Sequence, residues 1–83
     1  MMIDSLTMGS LNARIEAARD RYGDFASTHE ALGVACEEWD ELRDAIRNND
    51  LPQVDLECLD LAAVLIRLVA SLRTDATWRR SVK

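Results

Sequence analysis

The chain has 83 residues, of which 48 % are apolar and 30 % are charged, and its formal net charge at pH 7 is −5. This length suits one domain, and the composition is that of a folded protein rather than a disordered one. The acidic balance argues against a nucleic acid or an anionic membrane as the main partner, whereas it is compatible with cation binding.

The first predicted helix runs from about Leu11 to Tyr22, after a segment over residues 1–9 that we expect to be flexible. Ser10 is predicted to cap the start of this helix, and Gly23 is predicted to end it. The N-terminal segment has neither a basic stretch nor a long apolar run. It therefore lacks the pattern of a signal peptide, and we expect a cytoplasmic protein.

The second predicted helix extends from about Ser27 to Asn48. Ser27 and Glu30 have the spacing of a capping box, in which the serine hydroxyl accepts from the amide of Glu30 and the glutamate reaches back. Apolar residues recur along one face at helical spacing, and we expect this stripe to be buried. The stripe consists of Leu32, Cys36, Trp39, Leu42 and Ile46. For Trp39, packing in the core is the main interpretation, and stacking on a nucleobase is the alternative.

The third predicted helix starts near Pro52 and reaches about Arg73. From Leu56 to Leu72 it is apolar almost all round, a pattern typical of a helix that is buried on most sides. This apolar run is too short and too charged for a membrane span. One narrow strip is polar, and it contains Glu57, Asp60, Arg67 and Ser71.

The predicted fold is a single all-α domain over residues 1–83, with its core over 27–73 and a flexible tail over 74–83. Three antiparallel helices would form a helical bundle. Because a domain this short buries only about 60 % of the surface of its unfolded chain, its own core is marginal. We therefore expect homo-oligomerisation, as a homodimer or homotetramer, to complete the bundle.

Two pairs of acids are predicted to meet on neighbouring helices. Glu38 and Glu41 lie on one edge of the apolar stripe, and Glu57 and Asp60 lie on the polar strip of the next helix. Glu38 and Glu41 by themselves are typical of a solvated face. Carboxylates on a mostly buried helix, however, require a paired charge, a proton or a metal ion. With no other cation nearby than the poorly placed Arg67, the four oxygen donors predict a site for Mg²⁺ or Mn²⁺.

The two acidic motifs, "EEWDEL" and then "ECLD", have the form EExxE followed by ExxD. This pattern resembles the signature of the all-α nucleoside triphosphate pyrophosphohydrolases, the MazG-like family, over about residues 30–72. The resemblance implies an oligomeric helical-bundle hydrolase that cleaves nucleoside triphosphates to the monophosphate and pyrophosphate. It also implies that Mg²⁺ is held by Glu38, Glu41, Glu57 and Asp60.

The same resemblance gives Glu37 an outer-shell role or a role in positioning water, while either Glu38 or Glu41 would accept a proton from the attacking water. The chain has one lysine, Lys83, so phosphate contacts would come from arginines: Arg67, those of the first helix, or Arg79 and Arg80. We expect the substrate to contact Arg67, for which an internal ion pair is the alternative, and Trp78 and Arg79 of the tail.

Two other functions remain open at this point. One is a catalytically silent helical module of the same fold, with an interaction or regulatory role. The other is a related pyrophosphohydrolase with a different substrate, such as phosphoribosyl-ATP. The motifs favour a hydrolase over a silent module, but they do not name the base or the sugar.

Overall fold

The computed structural model describes residues 2–74, which form three α-helices joined by short connections. Helix α1 spans Ser5–Tyr22, α2 spans Thr28–Arg47 and α3 spans Leu51–Thr74. No strand occurs among the residues described. The prediction of an all-α chain with three helices is therefore confirmed, and each end of α2 and α3 lies one residue from its predicted position.

Helix α1 begins six residues before the predicted start at Leu11. Its cap is Asp4 rather than Ser10: Asp4 Oδ1 accepts a hydrogen bond from the amide of Thr7 at 2.9 Å. This hydrogen bond also lowers the pKa of Asp4 below its usual value. Residues 5–9, predicted as part of a flexible segment, consequently belong to the helix. Gly23 ends α1 as predicted, at a φ of 71° that favours glycine.

The start of α2 follows the predicted capping box with one difference. Ser27 Oγ accepts from the amide of Glu30 at 3.1 Å, while Glu30 Oε1 accepts from the amide of Ala26 at 3.0 Å, one residue further back than expected. A similar device begins α3, where Asp50 Oδ1 accepts from the amide of Gln53 at 3.3 Å. Side-chain caps therefore delimit the N-termini of all three described helices.

Helix α3 is the central element, because both α2 and α1 pack against it. The short turn over residues 48–50 makes α2 and α3 an antiparallel hairpin. Helix α1 runs in the same direction as α3. Arg14 in the middle of α1 contacts Asp60, and Gly23 at the end of α1 contacts Arg67, which lies later in α3. The chain thus runs up, down and up.

The core is small and is built largely from alanines. Phe25, in the connection between α1 and α2, contacts Ala31 of α2 and Val64 of α3, and partly buried aliphatic side chains surround this cluster. Burial of one such aromatic side chain contributes about 1.5–3 kcal/mol. Alanines at the helix contacts, including Ala45 and Ala63, let α2 approach its neighbour closely.

The predicted burial of the apolar stripe on α2 is wrong for most of its members within this chain. Leu42 is buried, but Leu32, Trp39 and Ile46 are 61 %, 50 % and 53 % exposed, and Cys36 is exposed. The buried side of α2 is instead centred near Glu38. The alanines of α2 lie on this side, and they let α2 pack more closely against α3 than the large side chains would allow.

On helix α3 too, the exposed and buried faces differ from those predicted. Glu57 and Arg67, on the predicted polar strip, are buried, whereas Leu65, Ile66 and Val69 are more than 40 % exposed. The prediction that α3 is buried on most sides is therefore wrong within one chain. The polar strip faces the other helices, and much of the apolar surface faces outward.

Most of the exposed apolar residues of the hairpin, though not Leu56, lie on one side of it. On α2 they lie about 80° to 160° from Glu38, and on α3 about 80° to 180° from Glu57. Because the helices are antiparallel, these directions coincide, and they point away from α1, which packs near Asp60 and Arg67. We call this surface the outer apolar face; its members are Leu32, Cys36, Trp39, Ile46, Cys58, Leu65, Ile66 and Val69.

Candidate metal centre

Three of the four predicted metal ligands come together across the hairpin. Glu38 and Glu41 of α2 and Glu57 of α3 each place one carboxylate oxygen within 4.8 Å of the others. Glu57 is only 6 % exposed, Glu38 is half-buried and Glu41 is exposed. We call these three side chains the glutamate trio. Its buried member is Glu57 on α3, and its solvent-exposed member is Glu41 on α2.

The buried carboxylates of the trio are only partly satisfied. Gln53 Nε2 donates to Glu57 Oε1 at 2.6 Å. In contrast, Glu57 Oε2 and Glu38 Oε2 are buried without a hydrogen-bond partner. A buried, unpaired carboxylate is costly, so it holds a proton or a cation. This donor set, made only of carboxylate oxygens, fits Mg²⁺ or Mn²⁺.

Two members of the trio, Glu38 and Glu41, have raised pKa values. Burial, followed by the charges of Glu41, Asp60 and Glu57, raises the pKa of Glu38 to about 7. A side-chain hydrogen bond with Glu57 raises the pKa of Glu41. Near neutral pH the metal-free cluster therefore retains protons. A divalent cation has to displace them, so cation binding would release protons.

Asp60, the fourth predicted ligand, has a different partner. Arg14 of α1 contacts Asp60 Oδ1 through Nη2 at 2.6 Å and through Nε at 2.7 Å. The prediction that no cation other than Arg67 lies near the acids is therefore wrong. The reason is tertiary: 46 residues separate Arg14 from Asp60 in the chain, and only the packing of α1 on α3 brings them together.

Open space adjoins the trio on two sides, and the two sides differ in charge. Towards α1 lies a cavity of about 300 Å³, the arginine cavity, whose lining includes Glu38, Asp60 and three arginines: Arg14, Arg21 and Arg67. Towards the turn between α2 and α3 lies a cavity of about 440 Å³ whose lining includes Glu41, Glu57 and two further acids, Asp44 and Asp50. A cation at the trio would lie between a basic cavity and an acidic one.

Arg67 is a buried cation without a carboxylate partner among residues 2–74. It is 7 % exposed, donates from Nη2 to the carbonyl oxygen of Gly23 at 2.7 Å and lies 4.3 Å from the centroid of the Phe25 ring. Its Nε is buried with no hydrogen-bond partner. The alternative of an ion pair thus finds no support in this part of the chain, and the phosphate contact stays a prediction.

The remaining predicted residues divide into three groups. Glu37 is exposed and lies beside Glu38 in the lining of a third cavity, of about 460 Å³, which Arg67 also lines. Trp39 belongs to the outer apolar face, about 100° around α2 from Glu38, and so points away from the trio. Trp78 and Arg79 lie outside the described residues.

Two contacts of this site were not predicted from the sequence, that of Gln53 with Glu57 and that of Arg14 with Asp60. Gln53 lies one helical turn before Glu57, so its spacing of four residues was a visible signal for a side-chain contact. Arg14 gave no such signal, since it is one of three arginines in the C-terminal part of α1 and its partner lies on another helix. The three glutamates of the trio follow from local spacing, whereas the cation beside Asp60 does not.

No protein-family model, no curated protein and no solved structure matches this chain. The resemblance to the MazG-like family therefore rests on the two acidic motifs. None of the helices within residues 2–74 is both long enough and apolar enough to cross a membrane. Chemically, the site combines hard oxygen donors with an adjoining arginine-lined cavity.

Proposed function

We propose that this protein is a Mg²⁺-dependent nucleotide pyrophosphohydrolase of the MazG-like type, with Mn²⁺ as an alternative metal, that converts a nucleoside triphosphate to the monophosphate and pyrophosphate. The observation that carries the proposal is the glutamate trio, in which one oxygen of Glu57 is buried without a partner and Glu38 lines the adjoining arginine cavity. Carboxylates in this setting favour a cation, and the arginines favour phosphate oxygens.

The residues of the site have distinct roles in this proposal. Glu38, Glu41 and Glu57 hold the cation, and Asp60 is the fourth candidate ligand. When bound, the metal neutralises phosphate charge and makes a bound water more acidic. Either Glu38 or Glu41 accepts the proton of the attacking water. Glu37 is exposed beside the trio and orders water in the outer shell.

The chain's arginines supply the contacts to the substrate. Contacts with Gly23 and Phe25 already hold the Arg67 side chain in place. The side chain would therefore lose little conformational entropy when phosphate binds. Its unpartnered Nε gives it a donor to spare. The tail residues Trp78 and Arg79 remain candidates for the nucleoside end, and the base and sugar are left open.

A pyrophosphate-release screen tests this function. Nucleoside triphosphates, deoxynucleoside triphosphates and phosphoribosyl-ATP are each incubated with Mg²⁺ or Mn²⁺ and the wild-type protein, Glu41→Gln or Asp60→Asn. We expect turnover by the wild-type protein on at least one substrate and loss of it in both variants. Asp40→Asn, which changes an exposed acid of the same helix outside the cavities of the site, is the matched control and should keep its activity.

The screen also distinguishes the alternative functions. Turnover of phosphoribosyl-ATP with none of the nucleoside triphosphates would assign the related pyrophosphohydrolase activity. No turnover on any substrate, together with no rise in melting temperature on addition of either metal, would refute the enzyme. The silent helical module would then be the better description of the protein.

We also propose that the protein is a cytoplasmic homodimer or homotetramer in which the outer apolar face is covered by a second copy. The described core contains only six buried apolar residues, and none of its large side chains is fully buried. A chain of 83 residues with so small a core gains stability when an exposed apolar surface of this extent is covered.

Sedimentation provides a test of association. The wild-type protein is expected to sediment as a dimer or larger species at micromolar concentration, and Trp39→Glu, in the middle of the outer apolar face, is expected to shift it towards monomer. Leu6→Glu is the control, because Leu6 is exposed on α1 outside this face. A wild-type protein that stays a stable monomer at all concentrations would contradict the proposal.

A further inference from the structure

The ion pair between α1 and α3 stands at the edge of the metal centre. Arg14 and Asp60 retain 40 % and 27 % of their side-chain exposure, so the pair is accessible to solvent and is not locked in the core. Both residues also line the arginine cavity. Asp60 lies three residues after Glu57 on α3, and its charge raises the pKa of Glu38. It therefore belongs electrostatically to the same cluster as the trio.

Arg14 supplies the positive charge that a metal ion would otherwise bring to Asp60. Two of its nitrogens converge on one oxygen of Asp60, which places positive charge beside the glutamate trio. A divalent cation that used the same oxygen would lie next to the guanidinium and would repel it. Arg14 and a metal ion therefore compete for Asp60, and full coordination by all four acids requires Arg14 to leave.

The arginine cavity offers Arg14 another position. Arg67 lines this cavity as a buried cation with a free Nε and no carboxylate partner among the described residues. Without a ligand, the displaced Arg14 would add an unpaired positive charge to a cavity wall that already contains Arg21 and Arg67. An anion with several oxygens, such as a diphosphate group, would relieve that repulsion, because each guanidinium can donate to a different oxygen.

We propose that Arg14 is an exchangeable counter-ion, which holds Asp60 in the metal-free protein, yields it to a divalent cation, and then joins Arg67 in binding phosphate oxygens in the arginine cavity. This proposal rests on the proposed metal site, but it does not depend on turnover. It makes the two ligands cooperative: the phosphate group gains a contact only after the metal has taken Asp60, and by linkage the phosphate group strengthens metal binding equally.

Titration calorimetry with Mn²⁺ alone tests the competition. The proteins are the wild type, Arg14→Gln and Arg14→Lys, and the control is Arg43→Gln, which removes an exposed arginine paired with Asp40 at 3.2 Å. We expect Arg14→Gln to bind Mn²⁺ about 5-fold more tightly or better, in the range of ordinary coupling between sites. Arg14→Lys, which keeps the charge but loses the second contact to Asp60, should fall between, and Arg43→Gln should match the wild type.

A second titration uses preformed Mn²⁺–pyrophosphate as the ligand. Here Arg14→Gln is expected to bind more weakly than the wild type, so the substitution changes the two affinities in opposite directions. A purely structural role for Arg14 would weaken both. Melting curves of each variant show that it is folded, and Arg14→Lys preserves the comparison if Arg14→Gln is not.

The outcomes separate this proposal from the proposed function. Wild-type binding of Mn²⁺ with no gain in Arg14→Gln or Arg14→Lys would overturn the exchange and leave the metal centre standing. Absence of Mn²⁺ binding in all four proteins would overturn both. Tighter Mn²⁺ binding with unchanged or tighter Mn²⁺–pyrophosphate binding would likewise overturn the exchange, since the second role of Arg14 would be missing.

Discussion

Glu57→Gln is expected to abolish the rise in melting temperature that Mg²⁺ or Mn²⁺ gives the wild-type protein, and to lower pyrophosphate release by at least about 100-fold. Even groups that only orient a metal ligand contribute about 10- to 100-fold to affinity or activity. Glu57 is the most buried carboxylate of the trio, and one of its oxygens has no other partner.

The substitution is close to isosteric, which makes the result interpretable. The amide oxygen of the new side chain can still accept the hydrogen bond that Gln53 donates to Glu57 Oε1. The fold should therefore persist, and without metal the variant should melt at or above the wild-type temperature, because a buried charge has been removed. Asp55→Asn, which alters an exposed acid on the same helix, should leave both measurements unchanged.

The test combines the pyrophosphate assay with thermal melts recorded with and without metal. The free metal concentration is set to about 100 times the dissociation constant of the wild-type protein, where binding stabilises the folded state by about 2.7 kcal/mol. A variant that keeps the metal-dependent rise in melting temperature would show that Glu57 is not a ligand. A variant that loses the rise but keeps its turnover would show that the metal acts elsewhere.

The stability of the metal-free protein is expected to fall as pH rises from about 4.5 to about 7. The pKa of Glu38 is raised from 4.5 to about 7 in the folded state, chiefly by burial. Between these values the folded state binds more protons than the unfolded state, so the free energy of unfolding decreases with increasing pH. The stabilisation from the protonated carboxyl is complete below 4.5 and lost above about 7.

Other groups reinforce or limit this effect. The raised pKa of Glu41 acts in the same direction as that of Glu38. Asp4 acts in the opposite direction, but its lowered pKa confines its contribution to pH values below 3.8. The descent in stability between 4.5 and 7 therefore reports on the glutamate trio.

Glu38→Gln is the variant that checks the assignment. It is expected to flatten the dependence of the melting temperature on pH and to raise the melting temperature at pH 8 without metal by a few degrees. Glu30→Gln should not serve as its control, because Glu30 caps α2; Asp40→Asn, an exposed acid on the same helix, is suitable. A descent that persists in Glu38→Gln would place its cause outside Glu38.

Local features of the sequence determined the helices and the acidic pairs. Ser27, Glu30 and Gly23 specify helix ends through contacts within a few residues, and this is why α2, α3 and the end of α1 were predicted closely. The meeting of Glu38 and Glu41 with Glu57 also follows from local information, since helical spacing and a short turn fix which residues of a hairpin lie at the same height. Asp4 and Ser10 are equivalent as local caps, so the start of α1 was misplaced.

Only the tertiary structure decided which helix faces are buried and which cation reaches the acids. Large apolar residues such as Trp39 dominate a sequence pattern, but Ala31 and Ala45 allow the closer helix contact, so the buried side of α2 turned towards Glu38. Arg14 contacts Asp60 because α3 packs along α1. The two residues are 46 positions apart in the chain, so no local spacing encodes this contact. The size of packed side chains and the contacts between helices distant in sequence are tertiary effects, which a periodic pattern cannot represent. They explain why the acidic residues form a partly buried site with Arg14 as a counter-ion.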